Sequence, residues 1–109
     1  SGTFVNQQWP YNPETPRGAW EYHATLIPAA EKKPLRLWLE VGTLDLHHDD
    51  PEETWHNWPL ANHRMAEVLA AKGYDYRFTL SEGGRHADPR VLEQTLAGAL
   101  EWVWRGYSA

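Results

Sequence analysis

Two short stretches of this chain carry residues that can share a proton: Gly42-Thr-Leu-Asp45 and Gly83-Gly-Arg-His86. A carboxylate that fixes the tautomer of an imidazole and stabilises its cation makes up two thirds of a nucleophilic-hydrolase triad. The third member is an alcohol whose proton the histidine accepts. Each stretch follows an apolar run, Leu35 to Val41 for the acid and Tyr74 to Leu80 for the histidine. A helical segment lies between the runs, which predicts parallel strands with both loops at the same carboxyl edge and brings Asp45 and His86 together. Gly83 and Gly84 give the histidine loop its backbone freedom. The acid has alternatives, because Asp49, Asp50 and Glu52 follow in the polar stretch from Leu46 to His56. The plain structural alternatives are a turn cap for Asp45 and a surface-loop histidine for His86.

The elements that must position these residues are legible from the hydrophobic pattern. Ser1 to Val5 reads as the tail of a strand. Trp9 to Trp20 contains Pro10, Pro13, Pro16 and Gly18, which block helix and central strand alike and predict a loop. Its aromatic residues Trp9, Tyr11 and Trp20 are candidates for lining a substrate cleft, with core-anchoring as the alternative. Gly18 to Ala30 predicts a short helix with Trp20, His23, Ala24 and Ile27 on one face, and His23 reads as a packed histidine rather than a ligand. The nearly continuous apolar run at Leu35, Leu37, Trp38, Leu39 and Val41 suits a strand covered on both faces. A helix follows from Trp58 to Lys72, with Pro59 in its first turn, Gly73 as its stop, and His63 and Arg64 on its exposed side. The second strand alternates, placing Tyr74, Tyr76, Phe78 and Leu80 on one face. The last helix opens with Asp88 as N-cap and Pro89 as first residue, and should bury Leu92, Leu96, Ala99, Leu100 and Val103 before Gly106 ends it.

Composition narrows the function classes. The chain has 109 residues and a net charge of -5, with Lys and Arg scattered, so it offers no clustered basic face for nucleic acid. No apolar run is long enough to span a membrane. Without cysteine there is no disulfide framework, thiolate metal site or cysteine nucleophile, and the compartment stays open. The histidines and acids from His47 to His56 invite a metal site, but adjacent residues such as His47 and His48 tend to point apart, so no metal and no cofactor is expected. The serines are Ser1, Ser81 and Ser108, and none lies on a strand-to-helix turn that presents a nucleophile.

Loop, helix, strand, helix, strand and helix in that order form the C-terminal half of an open α/β sheet. Residues 1-34 supply the loop and short helix, and residues 35-109 the strand-helix-strand-helix unit. Two strands leave the first, apolar one without a neighbour on one side, so further strands are expected upstream.

Ser1-Gly-Thr-Phe4, the Pro-rich loop, Gly42-Thr-Leu-Asp45, Asn62-His-Arg-Met-Ala-Glu-Val-Leu-Ala-Ala-Lys-Gly-Tyr74 and Gly83-Gly-Arg-His86 together make the chain resemble the C-terminal part of the enterochelin-esterase-like (esterase D type) α/β-hydrolases. The resemblance implies an α/β-hydrolase fold and a serine esterase in which Asp45 is the acid and His86 the base. Family members act on carboxylic esters, among them siderophore trilactones and feruloyl or acetyl esters of plant polysaccharides. The family's Gly-x-Ser-x-Gly nucleophile elbow does not occur in this chain. The expected partners are therefore an ester substrate and the missing N-terminal part of the same domain, and the chain by itself should be inactive and prone to self-association. The other classes that fit are a binding module that kept the hydrolase scaffold, with the aromatic loop as its contact surface, and a small α/β domain that completes its sheet with a second copy.

Overall fold

In the computed structural model, which describes residues 1–7 and 11–107, two seven-residue strands form a parallel sheet with helices on both faces. β1 (Arg36–Gly42) pairs with β2 (Asp75–Ser81), Arg36 lying opposite Asp75 and Gly42 opposite Ser81. Each strand begins one residue later than the apolar pattern suggests, because Leu35 and Tyr74 precede the ladder.

Between the strands runs α2 (Trp58–Ala71). Asn57 caps it by accepting from the Leu60 N–H, Pro59 occupies the first turn where no donor is needed, and Gly73, at φ +75°, ends it. The Tyr74 N–H returns to the Leu69 carbonyl and the Gly73 N–H to that of Ala70, closing the helix with a Schellman motif. Alternation along β1 sends Leu37 and Leu39 toward α2, where they meet Met65, Ala66 and Leu69, with Tyr76 and Phe78 of β2 alongside. On the opposite face Trp38 meets Trp102 of α3 (Pro89–Val103) edge to face, at 6.0 Å between centroids.

The N-terminal segment packs on the start of α2. Val5, Trp20, Trp58 and Ala61 form a second buried cluster, and Phe4 touches both clusters. Residues 1 to 5 are irregular rather than strand, since no neighbouring strand pairs with them among the described residues. They are fixed instead by the Asn62 side chain, which donates to the Gly2 carbonyl at 2.9 Å. The helical stretch before β1 is composite: a 3-10 turn (Gly18–Trp20), a π-helical turn (Tyr22–Leu26) and the short α1 (Ile27–Ala29). Pro28 has no N–H for the regular helical ladder, and the Ile27 N–H bonds one residue further back than usual, to the Tyr22 carbonyl.

Two sequence expectations fail here for related reasons. Leu92, Leu96 and Leu100 of α3 are 44, 52 and 51% exposed, while Ala99 and Val103 are half-buried. The stripe is amphipathic as expected, but among the described residues the sheet is two strands wide and leaves nothing beneath the outer half of the helix. Leu80 is likewise exposed on β2. His63 departs the other way: it is half-buried, its ring 4.9 Å from that of Phe78.

Candidate active site

The loops that follow β1 and β2 are interlocked. The Thr43 N–H donates to the Ser81 carbonyl (3.0 Å), the Leu44 N–H to the Gly84 carbonyl (2.9 Å), and the Gly83 N–H to the Thr43 hydroxyl (2.8 Å). Two glycines make this approach possible. A Cβ on Gly42 would stand 2.0 Å from the Gly84 oxygen, and Gly83 takes φ +74°, which other residues adopt only with strain. Below the second loop, Asp88 accepts from the Arg85 N–H (3.1 Å) and the Arg90 N–H (3.0 Å) and pairs with the Arg90 guanidinium. These donors hold its carboxyl well below the usual range, the Arg90 side chain first among them.

This frame brings Asp45 and His86 together. His86 Nδ1 lies 2.8 Å from Asp45 Oδ1, the carboxylate is fully buried, and the imidazole is 38% exposed. A buried carboxylate needs donors on its oxygens. The Leu46 N–H supplies one to Oδ1 at 2.7 Å, and the Ser1 hydroxyl supplies one to Oδ2. With Nδ1 on the carboxylate, Nε2 is the ring nitrogen left to exchange a proton with a reacting group. The Trp58 indole, itself buried, packs edge to face against the imidazole at 5.5 Å and stacks with His47 at 6.0 Å.

The alternative acids are engaged elsewhere. Asp49 pairs with His48 at 3.1 Å, Asp50 with His47 at 3.0 Å, and Glu52 with Arg64 at 2.8 Å. That loop hangs from Asn57, whose amide donates to the carbonyls of His48 (3.1 Å) and Asp50 (3.0 Å). Among the described residues no three His, Asp or Glu side chains converge as a metal would require, and no helix is long and apolar enough to cross a membrane.

The aromatic candidates divide. Trp20 is 4% exposed in the cluster behind Trp58, with its ring 4.7 Å from that of His23, so it belongs to the core and presents no face to a substrate. The cause is its place in the 3-10 turn, whose buried side faces α2. Tyr11 stands in solvent at 65% exposure. Trp9 and Ser108 lie outside the described residues. Sequence reasoning missed Trp58 and Ser1 as neighbours of the dyad. The Trp58-Pro59 pair reads only as a helix start, and Ser1 is 44 positions from the acid that it touches.

Comparison with known protein families, curated proteins and solved structures returns no match.

Proposed function

We propose that this chain supplies the acid and the base of a serine-type carboxylic ester hydrolase, with Asp45 orienting His86 and His86 taking the proton of a nucleophilic alcohol through Nε2. One observation carries the reading: the bond from His86 Nδ1 to a fully buried carboxylate at the carboxyl ends of two parallel strands, where the ligand crevices of open α/β sheets lie. The resemblance to the enterochelin-esterase-like α/β-hydrolases agrees with it. The Ser1 hydroxyl is spent on Asp45, and Ser81 ends the strand that leads into the histidine's own loop, so neither is suited to attack. Ser108 lies on no strand-to-helix turn in the sequence pattern, so the nucleophile and the oxyanion donors are expected from a further segment, whose strand would pair with the outer edge of β1 and lie under Leu92, Leu96 and Leu100.

The test is hydrolysis of a nitrophenyl acetate by the chain alone and by the chain joined to the residues encoded ahead of Ser1. Turnover is expected only from the longer protein. It should be abolished by His86→Ala and lowered by about 10⁴-fold by Asp45→Asn, as for a triad that loses its orienting carboxylate. Turnover that survives His86→Ala refutes the reading. The exposed stripe of α3 favours one alternative, a domain that closes its sheet with a second copy, and a dimeric longer protein without esterase activity would support it.

A further inference from the structure

We infer that Ser1 is a positioning residue of the dyad, its hydroxyl fixing the plane of the Asp45 carboxylate and the backbone beside His86 at once. The inference rests on the dyad reading above. A carboxylate held by one oxygen can turn about its Cβ–Cγ bond, and an imidazole hydrogen-bonded to that oxygen turns with it. In Asp45, Oδ1 takes both the Leu46 N–H and the imidazole, so Oδ2 decides whether the group is locked. Among the described residues its donor is the Ser1 hydroxyl. The Ser1 hydroxyl oxygen in turn accepts the Ala87 N–H at 3.0 Å. Ala87 follows His86 directly and is held at φ 46°, a left-handed conformation that strains a non-glycine residue and persists only under outside constraint.

Ser1 can constrain because it is itself tethered. The Gly2 carbonyl next to it accepts from Asn62, which is fully buried and also bonds the Trp58 carbonyl at 3.0 Å. Three residues on, Val5 is fully buried in the core. One hydroxyl, donating to the acid and accepting beside the base, thus ties the N-terminal segment to both loops of the site.

The experiment is NMR on the 109-residue chain with parent, Ser1→Ala, Ser1→Thr and Asp45→Asn forms, following the low-field Nδ1 proton of His86 and hydrogen exchange at the Ala87 amide. Ser1→Ala is expected to speed exchange at both positions about tenfold, the equivalent of roughly 1.4 kcal/mol, and Ser1→Thr, which keeps the hydroxyl, to restore both. A general loosening would speed exchange in β1 and α2 as well; the expected change is confined to the two loops. Parent-like exchange at both positions in Ser1→Ala overturns the role of Ser1 and leaves the dyad intact. An Nδ1 proton that is the same in the parent and in Asp45→Asn overturns the dyad, and this inference with it.

Discussion

Replacing Gly42 by alanine should damage this protein more than any other glycine substitution in the two loops. The new Cβ would meet the Gly84 oxygen at 2.0 Å and its carbonyl carbon at 2.3 Å. Both are backbone atoms, so no side chain can swing aside. Relief requires the two loops to separate, which breaks the Leu44 to Gly84 hydrogen bond and pulls the acid away from the base. Overpacking of this kind costs about 1–3 kcal/mol and sometimes more, and a backbone-to-backbone clash belongs at the upper end, about 3 kcal/mol. For a domain near this size that lowers Tm by more than about 10 °C. Two other glycines serve as controls. Gly83→Ala meets no atom within 4 Å but must keep φ +74°, so it should cost only about 1 kcal/mol. Gly98→Ala, inside α3 with open space around it, should stabilise by about 0.5–1 kcal/mol. Urea titrations followed by tryptophan fluorescence and far-ultraviolet circular dichroism would rank the three. A Gly42→Ala protein as stable as Gly83→Ala would refute the interlock as the element that joins the loops.

Removing the Asn57 side chain with Asn57→Ala takes away a helix cap and two loop hydrogen bonds at a buried position, and should cost about 2–3 kcal/mol in the same titrations. His23 is buried, and desolvation lowers its pKa against the partial support of the Phe4 carbonyl, with Arg64, Arg17 and Glu52 as the charges that act on it. Its unfolded form takes up a proton first, near pH 6.5, so its contribution is complete above that value and is lost as pH falls below it. His23→Gln should flatten that part of the stability–pH curve, and an unchanged slope would count against the burial argument. Leu96→Lys on the uncovered stripe should leave stability within about 0.5 kcal/mol of the parent while reducing any self-association seen by sedimentation.

What the sequence made legible was local. The apolar runs gave both strands to within a residue, and Asp88-Pro89 and Gly73 marked helix ends because caps and stops are short-range chemistry. The pairing of Asp45 with His86 followed from strand, helix, strand order, since a parallel crossover returns the second loop to the first. Burial was less legible, because it depends on what lies across the fold. Trp20 and Tyr11 look alike in a Pro-rich stretch, yet one closes the core and the other faces water. The stripe on α3 has a buried helix's spacing but, among the described residues, no third strand beneath it, a fact of sheet width that periodicity does not encode. Contacts such as Ser1 with Asp45 join distant positions through single atoms and leave no pattern to read.

The polar excursion after Asp45 has its own closure. The Trp58 N–H donates to the Leu46 carbonyl at 3.2 Å, so residues 47 to 57 leave and re-enter the fold at one point. Inside that span Asn57 gathers the carbonyls of His48 and Asp50, while the acid and the base are joined by the other two loops. The excursion is therefore a cassette mounted beside the dyad rather than a part of it. Trp55 anchors its far end, its carbonyl accepting the Asn6 N–H at 2.8 Å and its side chain packing on the Val5 and Trp20 cluster, and His47 stacks on Trp58, so exchange is expected to be tolerated only between His48 and Thr54. Libraries concentrated on residues 48 to 54 would vary the surface beside the imidazole while the His86 to Asp45 hydrogen bond is kept.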